Sequence, residues 1–415
     1  MKVNLFGAIT NSLGQSLIRL GLSLLTLKLV SGVLGPTGFA IYGQLQSVLQ
    51  IASTAASSIT TTGVVKQIAQ DRDAVGKVLT SACLLVFYLS LILTVLVILF
   101  SKTIAVNILE GNYSGLVCFV PATALSVGVG SLYFSYVNAI QNYRQCLAYA
   151  VVTSLIMFLA TLVLVVVLGR QGAMLSLIVS PVIATVIVLL FWGRPLLRSL
   201  LGQIRWDPST ASDLCKYSLS AIVGVISVYG SQIVIREVIS SAYGGHAAGV
   251  WYATTRVSEV YMGIAAILYS MILIPEFSKA QKMDVGLLLL KFSCCSLCAA
   301  VVLVSGVLLF SEFFIYFVFG ESFAGVVDLL KTHSIGDALK LISWVFLYRL
   351  LATGELKIFL AIEVFSSLLF LGLVYFSVGS MELDFVPVLY VIQSAVTLSI
   401  LFLNYMWRRW YRAGD

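Results

Sequence analysis

The sequence predicts an all-α integral membrane protein of about twelve transmembrane helices in two six-helix lobes around a central cavity. Three observations carry this. Sixty per cent of the 415 residues are apolar and 10% charged, whereas a soluble domain carries about 25% charged residues. Mean hydropathy is +1.03. Apolar stretches recur along the chain, each long enough to cross the ~30 Å of bilayer hydrocarbon as a helix. Transmembrane barrels show alternating segments of about ten residues instead.

The spans read as Ala8–Leu34, Phe39–Val65, Val78–Phe100, Gly115–Ile140, Cys146–Leu168 and Ala173–Trp192 in the first half. The second half gives Leu214–Ile239, Ala247–Ile274, Leu287–Phe310, Gly325–Leu347, Ile358–Val378 and Phe385–Trp407. The second and tenth are the most polar. Residues 194–213 form an Arg-containing cytoplasmic linker between an N-terminal lobe, 1–193, and a C-terminal lobe with a basic tail, 214–415. A faint repeat supports two lobes: Lys28 precedes Gly35-Pro36 much as Arg236 precedes Gly244-Gly245. Paired halves with a binding site near the midplane are a recurrent transporter plan.

Orientation follows the positive-inside rule. Lys2, Lys66, Arg72, Lys77, Arg144, Arg194, Arg198, Arg205, Lys216, Lys279, Lys282, Lys291, Arg349, Lys357, Arg408, Arg409 and Arg412 fall on one side, and only Lys102 and Arg170 on the other. Both termini are therefore expected in the cytoplasm. The formal net charge of +7 reflects this excess and favours anionic lipid headgroups, not nucleic acid. The first span, which carries Arg19 and Lys28, reads as a retained helix and not a cleaved signal. Cys294, Cys295 and Cys298 read as buried thiols within a span, and no metal site or cofactor is expected.

A Lys, Arg or Asp at a helix centre costs roughly 2.5–3.5 kcal/mol on insertion scales, so intramembrane charges mark pathways or pairs. Six basic residues lie deep or semi-deep within spans: Arg19, Lys28, Arg236, Arg256, Lys331 and Lys340. Arg19 shares one helical stripe with Ser12, Gln15, Ser16, Ser23 and Thr26. Gln46, Gln50, Ser53, Ser57 and Thr60 form a second stripe on the next span. These stripes suit a polar cavity wall; small polar residues can also serve as interhelical hydrogen bonds. Lys28, Arg236, Glu237 and Lys331 lie near outer helix ends, where snorkelling accounts for them. Arg256 either pairs with Glu259, three residues on, or faces the cavity. His333, Asp337 and Lys340 share a face of the tenth span, and Glu363 is placed to reach Lys340. This group is either a structural ion pair or a proton relay. The N-terminal lobe has no acid inside its spans, so a negatively charged cargo would supply its counter-charge.

The runs LGPTGFAIYG, TTTGVVKQIAQDRD, GGHAAGVWYATTRVSEVY, LIPEFSKAQ, HSIGDALKLISWVFLY and FLAIEVFSSLL together resemble the Wzx-type flippases of O-antigen and enterobacterial common antigen. These belong to the multidrug/oligosaccharidyl-lipid/polysaccharide exporter superfamily. The resemblance runs from the first span to the basic tail. It implies a non-enzymatic transporter of the bacterial inner membrane that moves an undecaprenyl-pyrophosphate-linked oligosaccharide to the periplasmic leaflet. It also implies rocking of two lobes coupled to an ion gradient, with a polysaccharide polymerase and a chain-length regulator as partners. Carried onto this chain, the family's charged positions are Arg19, Lys28, Lys66, Arg236, Asp337, Lys340 and Glu363; Arg256 departs from the pattern.

Two alternatives stay open. An organic-cation exporter of the same superfamily would need an acidic, aromatic cavity. A membrane polymerase or ligase would need a long outer loop bearing catalytic groups, and the outer loops here are short.

The topology is testable by cysteine-accessibility labelling. Sites at Arg72, Arg198, Lys282 and Arg409 are expected to label from the cytoplasm, and those at Asn112, His246 and Glu382 from the opposite side. One loop on the wrong side between correct neighbours breaks the twelve-span arrangement.

Overall fold

A computed structural model describes residues 5–70, 75–107, 114–202, 206–279 and 285–413. These form α1 (Leu5–Ser58), α2 (Val65–Gln70), α3 (Val75–Asn107), α4 (Ser114–Val117), α5 (Val120–Ala139), α6 (Tyr143–Trp192) and α7 (Arg194–Gly202). The chain continues through α8 (Pro208–Val225), α9 (Ser231–Tyr243), α10 (Gly245–Lys279), α11 (Val285–Val318), α12 (Val326–Ala352), α13 (Leu356–Ser377) and α14 (Val386–Ala413). Helices satisfy their backbone groups internally, which hydrocarbon demands.

Among the described residues, nine helical stretches are long and apolar enough to cross a membrane. Two of them, Ile18–Ile68 and Tyr143–Trp192, are far longer than one crossing needs. Each is broken at a glycine. Gly35 has φ 64°, ψ 179° ahead of Pro36, and Gly169 has φ 56°, ψ −128°; both torsions suit glycine alone. Each therefore counts as two passes. With α12, which is long enough to cross but set apart from those nine by its charged residues Asp328, Lys331, Asp337, Lys340 and Arg349, the total is about twelve. Large side chains on α3, α6 and α11 point outward, with Leu99 69%, Val166 73% and Leu309 75% exposed. That surface needs hydrocarbon as its solvent. Cys294, Cys295 and Cys298 lie exposed on α11, so the expectation of burial inside the bundle is corrected.

The chain groups into two compact units, one of Met1–Leu34 and Ile41–Ile233, the other of Gly35–Ala40 and Val234–Asp415. The change-over therefore falls after Ile233, later than the 194–213 linker. Packing explains the shift. Leu214 is fully buried and touches the Gly63 position so closely that a Cβ there would lie 2.4 Å from it. The Asp207 amide also donates to Ser81 Oγ at 3.4 Å. Asp207 caps α8 by accepting from the Thr210 amide at 3.2 Å. Hydrogen bonds from the Thr210 and then Ser209 side chains hold its pKa down to about 2. The cap's contribution is present above the ordinary carboxylate range and is lost only as pH falls through about 2.

In the first unit, α3, α5 and α6 pack around Leu79, Leu132 and Tyr133. Gly128 lets α5 approach Val86 and Ala56, the small-residue contact typical of membrane helices. In the second unit, α12 packs against α10, α11 and α14. The Gly35–Ala40 segment belongs there because Phe39 packs against Tyr252 and, edge to face, Phe323, with centroids 4.7 and 5.7 Å away. A Cβ on Gly249 would sit 1.8 Å from the Pro36 carbonyl oxygen.

Two glycines of α10 should respond in opposite directions. Gly249→Ala forces backbone apart and is expected to destabilise the protein by about 1–3 kcal/mol. Gly263 has nothing within 4 Å of its would-be Cβ, so Gly263→Ala should stabilise α10 by roughly 0.5–1 kcal/mol. Thermal unfolding in detergent compares the two, and equal shifts would refute the close contact.

Candidate functional site

Asp337 is fully buried midway along α12. Its carboxylate is held by hydroxyls from two neighbouring helices. Ser258 Oγ and Tyr261 OH of α10 donate to Oδ2 at 2.7 and 2.6 Å. Tyr390 OH of α14 donates to Oδ1 at 2.8 Å. Gly336 makes room, because a Cβ there would meet the Tyr390 ring at 2.5 Å. His333, one turn before, lies flat on Tyr390 with centroids 4.1 Å apart and its Nε2 3.8 Å from Oδ2. That distance is too long for a hydrogen bond. His333 Nδ1 and Trp251 Nε1 are buried without a partner among the described residues.

Lys340 does not reach this carboxylate within ion-pair distance. It is exposed, and its ammonium sits 5.9 Å from the Tyr390 ring centroid. The expected Asp337–Lys340 pair is thus replaced by a shell of neutral hydroxyls. Lys340 instead lines a cavity of about 20 Å³ together with Glu363, Ser366, Gln393 and Ser394. The expected approach of Glu363 to Lys340 takes this shared-cavity form.

A second cluster centres on Tyr252, which is 2% exposed. The guanidinium carbons of Arg236 and Arg256 lie 5.3 and 5.1 Å from its ring centroid. Arg256 Nε donates to the Tyr252 hydroxyl at 2.8 Å, and its Nη1 is ion-paired with Glu259. Of the two readings of Arg256, the pair with Glu259 is the one present. Arg236 is only 3% exposed. Its guanidinium is covered by an aromatic face and does not snorkel to the interface. Lys331 pairs with Asp328 at 3.4 Å, and His246 is exposed at the start of α10.

In the first unit, Arg19, Ser23 and Lys28 are exposed on α1, and no described carboxylate lies within ion-pair distance of Arg19. Thr26 turns its hydroxyl to the Leu22 carbonyl at 2.9 Å. Gln46 is half-buried, and exposed Gln50 donates to Thr54 at 3.4 Å. The side chain of Gln15 lies outside the described residues, as do those of Ser12 and Ser16. Lys66 is exposed on α2.

The hydroxyl donors Ser258, Tyr261 and Tyr390, and the ring of Tyr252, escape sequence reasoning because tyrosines in a span read as apolar packing. The three-residue spacing of Ser258 and Tyr261 on one helical face is the available signal. A hydrogen bond to a charged group contributes about 1.5–3 kcal/mol. Tyr261→Phe should destabilise the protein by that amount in a detergent melt. Tyr375→Phe, at a 61% exposed position, should stay within about 0.5 kcal/mol. Equal effects would show that the Asp337 shell contributes nothing.

The fold is shared with known transporters. An inward-facing multidrug resistance MATE family transporter of the MOP superfamily superposes with a TM-score of 0.78 at 16% identity, covering 95% of this chain and 98% of that one. A MOP superfamily transporter from Pyrococcus furiosus, described as having a binding pocket of reverse polarity, gives 0.70 at 16% identity, covering 97% and 95%. At these identities the likeness is one of fold. In sequence, the lipid III flippases of Escherichia coli (strain K12) and Shigella flexneri are each 26% identical over 359 residues, covering 84% of this chain and 86% of the relative. The family described as polysaccharide biosynthesis protein matches residues 5–281. With a match that runs through most of its length, this chain belongs to that family.

Proposed function

We propose that this protein flips an undecaprenyl-pyrophosphate-linked oligosaccharide, an O-antigen repeat or similar glycan, from the cytoplasmic to the periplasmic leaflet of a bacterial inner membrane. It works by alternating access, with both termini cytoplasmic. Its family and the flippase names of its relatives support a lipid-linked glycan as cargo. The single observation that carries the charge of that cargo is Arg19, exposed on an apolar membrane helix with no described carboxylate beside it. A cation so placed costs several kcal/mol unless water or an anion meets it. Pyrophosphate is such an anion, and a guanidinium matches its oxygens. Lys28 adds charge on the same helix, while Ser23, Gln46 and Gln50 offer hydrogen bonds to neutral sugar. Arg236 and Arg256 are packed on Tyr252 in this structure and would meet cargo only in a conformation that uncovers them. A polysaccharide polymerase and a chain-length regulator are the partners that would use the product.

Ion coupling is assigned to Asp337. A carboxyl that alternates between ionised and neutral can bias two conformations if one state holds it better than the other. His333 stands beside it, with Nε2 3.8 Å from Oδ2, and Glu363, in the cavity it lines with Lys340, is the second candidate for coupling.

Organic-cation export is the second reading, favoured by the multidrug transporters that share the fold. Against it, the first six spans carry no Asp or Glu, and a cation would meet Arg19 and Lys28.

Flipping of a fluorescent polyprenyl-diphosphate oligosaccharide in proteoliposomes tests the assignment. Arg19→Ala and Arg19→Glu should each lower the rate by about tenfold or more, the equivalent of about 1.4 kcal/mol, at unchanged membrane levels. Arg19→Lys should keep part of it. Full transport by the Glu variant overturns the anion role, and uptake of an organic cation without glycan flipping favours the exporter.

A further inference from the structure

We propose that Arg194, Leu197 and Arg198 form a binding site for one anionic phospholipid, where α7 follows α6 in the first unit. The site stands apart from the cargo and coupling assignments and depends on neither.

Its depth follows from helix length. From Gly172 to Trp192, α6 runs about 30 Å at ~1.5 Å per residue, a full thickness of hydrocarbon. Arg194 and Arg198 come about 3 and 9 Å further along the chain's axis, which is the headgroup layer. Trp192 and the exposed Trp206 flank the segment, and tryptophan favours that same layer. Both arginines also belong to the side of the membrane that holds most of the Lys and Arg.

The direction they face follows from the register. Ile183, Val186 and Leu190 are exposed on α6, Leu190 by 72%. Arg194, Leu197 and Arg198 continue their three- and four-residue spacing and are exposed too. The break at Gly193 keeps this register, since its backbone is αR. The Gly193 amide donates to the Leu189 carbonyl at 2.8 Å, and the Leu197 amide to the Gly193 carbonyl at 2.9 Å. Pro195 interrupts the ladder because it has no N–H for the Phe191 carbonyl. The two guanidiniums thus end a stripe whose other members face lipid tails.

The opposite face of α7 is fixed to the unit. Leu196 is buried, and Leu200 packs on the core around Leu79 and Tyr133. Ser199 Oγ donates to the Tyr136 hydroxyl at 3.4 Å. No described carboxylate lies within ion-pair distance of Arg194 or Arg198. Asp207, the next acid along the chain, has its Oδ2 engaged by Ser209 and Thr210. Two guanidiniums one turn apart match the oxygens of a phosphate, and a net negative headgroup supplies the missing counter-charge. Leu197 lies between them, and Leu190, Val186 and Ile183 offer the track for an acyl chain.

Native mass spectrometry of the full-length protein in detergent tests this, by titration with phosphatidylglycerol and with phosphatidylcholine of the same acyl chains. The protein is expected to bind phosphatidylglycerol in preference. Arg194→Gln and Arg198→Gln should each weaken that binding about fivefold, and together about thirtyfold, as expected for basic residues at an anionic surface. Leu197→Gln changes no charge and should weaken both lipids alike. These side chains point outward, so unchanged melting temperatures of the lipid-free variants will show that the fold is kept. Arg144, exposed on the first turn of α6, is the control: Arg144→Gln should leave the first bound lipid unaffected. Equal losses from Arg144→Gln mean charge spread over the whole face and overturn the site, as does equal binding of the two lipids. Undecaprenyl diphosphate that displaces phosphatidylglycerol at lower concentration, with the same dependence on Arg194 and Arg198, overturns phospholipid as the occupant.

Discussion

Hydrocarbon offers no hydrogen bond, and most features of this protein follow from that constraint. Backbone groups must close on themselves, which leaves helices. Serine and threonine hydroxyls within spans turn to the carbonyl one turn back, as Thr161 does to Met157 at 2.8 Å and Ser218 to Leu214 at 2.8 Å. Longer polar groups cannot fold back so far and must find a partner on another helix. Asp337 finds three. Gln393 finds Ser366 on α13, besides Thr397 one turn along its own helix at 3.1 Å.

The two units meet this demand differently. Several charges in the second unit are matched nearby: Arg256 by Glu259, Lys331 by Asp328, and Arg349 and Arg408 by Glu355. The Glu355 group ties the ends of α12, α13 and α14 together, with Arg349 also over the Tyr405 ring at 5.3 Å. The first six spans of the sequence contain no acid, and Arg19 is exposed on α1 with no described carboxylate within ion-pair distance. A polar group left exposed on a membrane helix is costly unless something polar visits it. On the proposed function, the visitor to the first unit is cargo, whereas the second unit keeps its charges for its own mechanics.

Element by element, the membrane passes were legible because twenty apolar residues in a row have few alternatives. The breaks at Gly35 and Gly169 were legible as well, since a continuous helix would far overrun the bilayer. Even α12 could be placed despite its polarity, through the positive-inside pattern of the loops around it. Partner identity was not legible. His333, Asp337 and Lys340 share one face in the sequence pattern, which suggests a pair. Which side chains meet Asp337 depends on how α10 and α14 are rotated against α12, and single-sequence periodicity contains no such angle. Lys340 is long enough to leave that face, and it does. The change-over after Ile233 escaped for a related reason, because a polar loop marks a connection but not which unit the next helix packs on.

The replacement of an ammonium by hydroxyls around Asp337 has chemical content. A lysine ammonium has three donors and no acceptor, so it can donate to a carboxyl oxygen but can never accept the proton of a neutral acid's O–H. A protonated carboxyl facing it would bring two donors together. A serine or tyrosine hydroxyl can rotate and become an acceptor. The shell of Ser258, Tyr261 and Tyr390 can therefore satisfy the carboxylate with three donors, or the neutral acid with two donors and one acceptor, without moving a helix. A structural ion pair is built for one protonation state; this site accommodates both. That property separates a group able to take part in coupling from one that merely holds two helices together, and it comes from the chemical type of its neighbours, not from the carboxylate.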